Sequence, residues 1–240
     1  MEGTEDMFGR YSNGEKITIK PRYVARGKTF FLQPHYNICP AQMRTVIVLK
    51  DGQLQEQERR WGDFPSWTKE VKKTRTFINL KSETVLEKFG DAVRNRRCLV
   101  PADGFYEWET TMKGKLPWRF VLRSEEPFCF AGVYNEFTPP PINEDAKPPT
   151  YQTYSILTCE PNRIVKEIHH RMPVIIQPEH YDEWLDPGAD DGKFMSVAQP
   201  YPAEWMEGYR VSKFVNMPKN DSPECIKLSS DAETKRRYIN

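Results

Sequence analysis

Apolar and polar positions alternate over many short segments, and this pattern predicts a molecule built mainly of β-strands. The predicted strands cover residues 45–49, 97–101, 105–109, 118–122, 128–134, 153–158 and 173–176. Helical spacing of apolar residues is found over 83–94, with Ser82 as the N-cap, and over the shorter stretches 162–168 and 179–184. The expected fold class is therefore α+β, with a predominantly antiparallel, barrel-like sheet and short peripheral helices.

Two breaks in the pattern predict connections between strands. Lys113, Gly114 and Lys115 separate two predicted strands and are typical of a hairpin turn. Five prolines fall within residues 138–149, which must form an extended surface connection. Because strand-like segments flank this proline-rich stretch, we interpret it as an insertion loop in a single domain that spans residues 1–240.

The composition excludes several classes of protein. An aromatic content of 12% and a net charge of +1 argue against intrinsic disorder, and no apolar run reaches the length of a membrane span. The five cysteines form no Cys-x-x-Cys pair, which argues against a disulfide framework or a metal site and favours a reducing compartment. The acidic start, residues 1–6, has no apolar secretory segment, so we expect a soluble, cytoplasmic protein without cofactors.

Charge is unevenly distributed along the chain. Residues 66–81 carry five lysines or arginines against the single acid Glu70, and the aromatic residues Trp61, Phe64 and Trp67 precede or begin this run. Cations that meet phosphates beside rings that stack on bases suit single-stranded nucleic acid, although such a run is more often a solvated face and tryptophans are more often core. Residues 179–191 are acidic and form a second candidate contact surface.

Two residues are candidates for acid–base chemistry. Glu107 lies in a predicted strand among aromatic residues, and a carboxylate that loses solvation there is suited to proton transfer. His169 is followed by His170 after a predicted short helix, and at most one of these adjacent rings is expected to face a site. An ordinary edge-strand glutamate and a helix-capping histidine explain the same residues, so neither signal is specific alone.

The order of several short blocks is specific. These blocks are Gly9-Arg10, Tyr36-Asn37-Ile-Cys-Pro40, Trp61-Gly-Asp-Phe-Pro-Ser-Trp67, Asn79-Leu-Lys-Ser-Glu83, Ala102-Asp-Gly-Phe-Tyr-Glu-Trp108, Ile168-His-His-Arg-Met-Pro173 and Val211-Ser212. Together they resemble the SOS-response-associated peptidase (SRAP) family in nearly the whole chain. Members of this family sense abasic sites in single-stranded DNA.

The resemblance implies a fold, a reaction and a set of residues. Family members expose an N-terminal cysteine whose amine and thiolate join the ring-opened abasic aldehyde as a thiazolidine, a covalent DNA–protein crosslink. The resemblance implies that Glu107 and His169 transfer protons. It also places Asn79 and the position of Phe8 among the catalytic residues. The implied DNA contacts are Arg10, Asn37, Trp61, Trp67, Lys81, Arg171 and Ser212. The partner would be single-stranded or junction DNA with abasic sites, and family analogy favours a monomer.

The sequence departs from the family pattern at the nucleophile. Phe8 stands where the family has cysteine, and residues 1–7 precede it, so neither a thiol nor a free amine is expected at that position. Lys81 replaces the family's arginine, which loses a bidentate phosphate contact. Cys39 shares a strand face with Asn37 and is a candidate for trapping an aldehyde, although a small buried core cysteine is the more usual explanation.

Three functional classes therefore remain open. The first is an abasic-site processing enzyme with crosslinking or lyase activity, in which the substitution at Phe8 removes the thiol. The second is a peptidase acting on its own N-terminus or on another protein, as the family name suggests. The third is a catalytically inactive DNA-binding or protein-binding module, for which the acidic residues 179–191 form the contact surface.

Overall fold

The computed structural model describes residues 8–14, 16–19, 28–112, 114–141, 143, 145 and 147–230, with the backbone alone for 16–19. Its strands are β1 (Tyr11–Asn13), β2 (Lys16–Ile19), β3 (Lys28–Phe31), β4 (His35–Ile38), β5 (Met43–Lys50), β6 (Gln53–Trp61), β7 (Asn79–Lys81), β8 (Arg97–Ala102), β9 (Gly104–Thr111), β10 (Gly114–Leu122), β11 (Phe128–Phe137), β12 (Tyr151–Cys159), β13 (Met172–Pro173), β14 (Ile175–Ile176) and β15 (Met206–Arg210). The α-helices are α1 (Val85–Asn95), α2 (Tyr181–Leu185) and α3 (Asp191–Val197).

Five strands close into a barrel. The order is β12-β6-β5-β8-β11, and β11 pairs back with β12 to complete the ring. The β12–β6 pairing is parallel and the other pairings in the ring are antiparallel. A second, antiparallel sheet has the order β15-β10-β9-β1-β4. The predicted α+β class with a barrel-like sheet and short peripheral helices is confirmed.

Aromatic rings fill the barrel interior. Trp61 is fully buried, and its ring centroid lies 5.2 Å from that of Tyr11 and 6.4 Å from that of Tyr154. Phe8 is also fully buried, with ring centroids 5.6 Å from Trp61 and 5.6 Å from Phe130. Tilted and edge-on pairs at these separations are favourable, so the residue at position 8 is part of the core.

Six of the seven predicted strands are confirmed as parts of β5, β8, β9, β10, β11 and β12. The seventh prediction, a single strand over 173–176, is wrong. The chain there forms β13, which pairs with β12, and then β14, which pairs with β11. Val174 lies between them and contacts both neighbours, since its amide donates to Leu157 and its carbonyl accepts from Ala131.

The helix predictions need correction. Helix α1 begins at Val85, three residues after the expected N-cap Ser82, whose amide instead donates to the Thr158 carbonyl. Residues 162–168 form turns and no helix, and 179–184 divides into a 3-10 helix, Pro178–His180, followed by α2. The described helices include none with both the length and the apolar character of a membrane span.

Two predicted connections lie between paired strands. β9 and β10 pair with Thr111 opposite Gly114, so the turn falls one residue earlier than predicted, and Lys113 is outside the described residues. Phe137 pairs with Tyr151 across the proline-rich stretch, whose described residues have no helix or strand. Residues 1–7, 142, 144 and 146 are outside the described part, and the domain limits 1–240 remain a prediction.

Replacing Phe8 with alanine is expected to destabilise the fold by about 3–5 kcal/mol, because the change leaves a cavity between rings of the barrel core. Chemical denaturation with linear extrapolation measures the loss. The matched control is Phe31→Ala, which removes a ring that is 72% exposed and should cost no more than about 0.5 kcal/mol. Equal losses for the two variants would contradict the core role of Phe8.

Candidate active site beside Glu107 and His169

A glutamate and a histidine meet at one edge of strand β9. β1 covers this edge only as far as Phe105 and Tyr106, so the strand is uncovered where Glu107 follows. Glu107 Oε1 lies 3.5 Å from His169 Nδ1, and the two residues are only 4% and 9% exposed. A carboxylate and an imidazole sheltered from water at this distance can exchange protons with a bound reactant.

The backbone around Arg171 fixes the orientation of the His169 ring. His169 Nδ1 lies 2.8 Å from the Arg171 carbonyl oxygen and 3.1 Å from its amide nitrogen. The Arg171 guanidinium makes two 2.8 Å hydrogen bonds to the Glu83 carboxylate and another to the Thr158 carbonyl oxygen. Arg171 therefore holds the histidine-bearing segment against β12 and against the turn that precedes α1.

Arg10 extends into the same region from the chain just before β1. Its guanidinium carbon lies 5.5 Å from the centroid of the Trp108 ring, and Nη1 donates to Asn37 Oδ1 at 2.9 Å and to the Val215 carbonyl at 2.8 Å. Trp108 Nε1 donates to Asn216 Oδ1 at 2.8 Å. The C-terminal segment and the start of the described chain are thus joined at one place.

These groups line a cleft of about 400 Å³. The lining residues are Gly9, Arg10, Glu107, Trp108, Lys115, His169 and Asn216. This volume is in the range of small-molecule sites and can admit one sugar with its phosphate. The cations Arg10 and Lys115 beside the acid–base pair suit an anionic substrate.

Comparison with known proteins identifies the family to which the chain belongs. The family model described as SOS response associated peptidase (SRAP) matches residues 7–218. The chain belongs to the SRAP family. Abasic site processing protein YoqW from Bacillus subtilis (strain 168) is 41% identical over 197 residues, which covers 80% of this chain and 85% of that protein. Abasic site processing protein HMCES from Gallus gallus is 32% identical over 240 residues, covering 86% of this chain and 69% of that protein.

Solved structures share this architecture. A crystal structure of a protein from Bacteroides thetaiotaomicron superposes with a TM-score of 0.70 at 25% identity and covers 80% of this chain and 84% of its own. A second, from Bordetella bronchiseptica, has a TM-score of 0.66 at 22% identity, with 85% and 99% covered. The second similarity supports the SRAP fold alone.

A second groove, of about 740 Å³, holds three more of the residues expected at an SRAP site. Trp67, Asn79 and Lys81 line it together with α1. Trp67 is 72% exposed and Lys81 is also exposed, so both are accessible to a ligand. Asn79 joins this groove to the cleft, because its Nδ2 donates to the carbonyl oxygen of Phe8, the neighbour of Gly9.

Three of the expected DNA contacts have protein partners instead. Trp61 is buried in the barrel, where its Nε1 donates to the Ile78 carbonyl, so its ring offers no stacking face. Asn37 is 1% exposed, and its Nδ2 donates to the carbonyls of 215, 217 and 220. Arg171 is held by Glu83 as described above. These three residues contact the protein around the site, and direct DNA contact by any of them stays a prediction.

Ser212 and Cys39 also have structural partners. Ser212 Oγ accepts from the Phe214 amide and caps the 3-10 helix Lys213–Asn216. The Cys39 thiol is buried and donates to the Asn37 carbonyl at 3.3 Å. Burial raises the pKa of Cys39 above its ordinary value, which keeps it a thiol and makes it a poor trap for an aldehyde.

Sequence reasoning missed Trp108, Lys115 and Asn216 as lining residues. Trp108 was visible beside Glu107, but strand alternation placed it on the opposite face. Lys115 was assigned only to a turn, and Asn216 carries no local signal. Among the described residues, no group of three or more His, Cys, Asp or Glu side chains has the arrangement of a metal site.

The Glu83–Arg171 pair should make stability depend on pH. Burial alone would raise the pKa of Glu83, but the hydrogen bonds and charge of Arg171 hold it below the ordinary 4.5. The stabilisation is therefore complete above pH 4.5 and is lost as the pH falls through the lowered folded-state pKa.

Thermal unfolding across this range should show the greatest difference between wild type and Glu83→Gln above pH 4.5, and a vanishing difference in more acidic solution. The matched control is Glu87→Gln, which removes an exposed carboxylate from α1. A difference for Glu83→Gln that stays constant with pH would contradict the role of this ion pair.

Proposed function

We propose that the protein binds abasic sites in single-stranded DNA and processes them with Glu107 and His169 as the proton-transfer pair. The supporting observation is their 3.5 Å approach in a sheltered cleft that also contains Arg10 and Lys115. Relatives that align with most of this chain carry the name abasic site processing protein. A cleft of about 400 Å³ has room for an abasic sugar with its phosphate.

The chemistry begins with the ring-opened form of the abasic sugar, which carries an aldehyde. Attack by an amine forms a carbinolamine, and a general acid must protonate its hydroxyl before water leaves. Glu107 and His169 are close enough to share this proton and to return it to the reactant. Their low exposure limits competition from bulk water.

The two grooves form our proposed path for the DNA strand. Arg10 contributes charge on the cleft side, where its guanidinium stacks on Trp108. Lys81 contributes charge in the second groove, where the exposed ring of Trp67 offers a stacking surface for an unpaired base. A strand with its abasic residue in the cleft can thus place a neighbouring nucleotide near Trp67.

Phe8 excludes the thiazolidine product from this proposal, because that ring requires a thiol next to an amine. The Phe8 ring fills the core, and only its backbone faces the Asn79 amide. We therefore propose a reaction that proceeds through an imine and ends in strand cleavage, without a thiazolidine crosslink.

Other properties belong to the same proposal. We expect the protein to act as a monomer on single-stranded or junction DNA. We also expect it in the cytoplasm, because Cys39, Cys98, Cys129, Cys159 and Cys225 are all free and buried, which suits a reducing compartment.

Glu107→Gln is expected to slow cleavage of an abasic single-stranded oligonucleotide by about a hundredfold, because the amide cannot take up or release the proton. Gel electrophoresis of an end-labelled strand measures cleavage. Binding is measured separately, on a strand with a tetrahydrofuran in place of the abasic sugar, and should change little.

The matched control is Glu109→Gln, two residues further along β9, where the side-chain oxygen still accepts from Trp118 Nε1. This variant should cleave like the wild type. Wild-type protein that binds no tetrahydrofuran strand at low salt would remove the DNA proposal altogether. Unchanged cleavage by Glu107→Gln would remove the proton-transfer role alone.

A further inference from the structure

The cleft contains one primary amine among the described residues that line it. The lining includes a carboxylate, an imidazole, a guanidinium, an amide and an indole, and the remaining reactive group is the ε-amine of Lys115. Guanidinium, amide and indole nitrogens do not form imines with aldehydes under mild conditions. Lys115 is therefore the lining residue with the nucleophile that the proposed chemistry needs.

The strand register explains how this lysine reaches the cleft. Lys115 is the second residue of β10 and lies directly opposite Thr110 of β9, and Trp108 lies two residues from Thr110 on the same face. A diagonal neighbour in an antiparallel pair is within reach of a long side chain. Lys115 is exposed, and it lines the same cleft as Trp108, Glu107 and His169.

The residue at position 8 offers no competing nucleophile. Its nitrogen is a peptide nitrogen, because Met7 precedes it in the sequence, and its side chain is a buried hydrocarbon ring. A peptide nitrogen is not nucleophilic, since its lone pair is delocalised into the carbonyl. An amine delivered by another part of the chain is required if an imine is to form.

We propose that Lys115 is the nucleophile of this protein and forms a Schiff base with the aldehyde of an abasic site. This inference rests on the proposed function and names the group that performs its covalent step. It makes the protein a lysine-dependent abasic-site lyase on an SRAP fold.

The steps balance without an added oxidant or reductant. The Lys115 amine bonds through its lone pair to the aldehyde carbon, and its nitrogen gives a proton to the Glu107–His169 pair, which gives a proton to the carbonyl oxygen so that it becomes a hydroxyl. The second nitrogen proton reaches that hydroxyl by the same route, water leaves, and the imine forms. A base then removes a proton from the adjacent sugar carbon, and the bond to the 3′ phosphate breaks as the phosphate leaves with its electron pair.

One water molecule completes the cycle by hydrolysing the imine. It returns the Lys115 amine and leaves an unsaturated aldehyde on the 3′ end of the cleaved strand. The imine itself can be intercepted, because borohydride reduces it to a stable secondary amine that links protein and DNA. This trapped species is the measurable signature of the proposed lysine.

The test traps wild type, Lys115→Arg and Lys166→Arg with borohydride on an abasic single-stranded oligonucleotide. Arginine preserves the positive charge but forms no imine, so trapping by Lys115→Arg should fall by about a hundredfold. Lys166 lines a neighbouring opening that shares Trp108 and His169 with the cleft, and Lys166→Arg should trap like the wild type. Peptide mass spectrometry should locate the wild-type adduct on Lys115.

Binding to the unreactive tetrahydrofuran strand separates the two possible failures. If the wild type binds that strand but its adduct maps to another lysine or to the chain's α-amine, the lysine assignment is wrong and the proposed function stands. Trapping that persists in Lys115→Arg has the same meaning. No trapping at all despite binding would overturn both the lysine assignment and the imine route, and would leave only the DNA-binding part of the proposed function. If the wild type does not bind the tetrahydrofuran strand, both the proposed function and the assignment fall.

Discussion

The packing of Phe8 and Trp61 inside the closed barrel is the contact on which the site depends. Their rings bury the start of the described chain in the core, and this fixes where Gly9 and Arg10 must emerge. β1 follows immediately and pairs with β9 from Phe105 to Gly104, so Glu107 lies beyond the paired part of β9, close to Gly9 and Arg10 in the cleft. The burial of the Phe8 ring therefore both fills the barrel core and places the next two residues at the cleft.

Behind the cleft, polar side chains form hydrogen bonds to other parts of the protein and so hold the segments that line the cleft in place. The side-chain Nδ2 of Asn37 donates to three carbonyl oxygens of the C-terminal segment, and its Oδ1 accepts from Arg10. Arg171 is held by Glu83 while its backbone orients His169. Buried polar groups must be paired in this way, because each unpaired one costs about 1–3 kcal/mol. From the sequence alone, these structural residues cannot be distinguished from residues that contact a substrate, because both groups have charged or amide side chains.

The sequence predicted the elements that depend on local pattern and missed those that depend on distant partners. Strands β8 and β11 contain continuous apolar runs, and their burial in the barrel follows from that pattern. β6, with the sequence QLQEQERRW, carries many polar residues, so its place in the barrel could not be recognised locally. The proximity of Glu107 and His169 joins β9 to the segment before β13, and only the order of the SRAP blocks suggested it. Trp61 and Trp67 show the limit of that resemblance, because one is core and the other is surface.

The position of Lys115 shows how one acid–base pair can assist an amine from another part of the chain. Imine formation requires an amine, a proton donor and a proton acceptor in one sheltered site. The amine can approach this site from any side that leaves the proton donor and acceptor in place. In the SRAP pattern the amine comes from the chain terminus beside Gly9. Here that approach is occupied by a peptide bond and a ring that the barrel core needs, whereas the β9–β10 hairpin presents a lysine across the same cleft. Glu107 lies on β9 and the Arg171 backbone orients the His169 ring, so the core packing that places Gly9 beside this pair leaves the pair available to an amine from the hairpin.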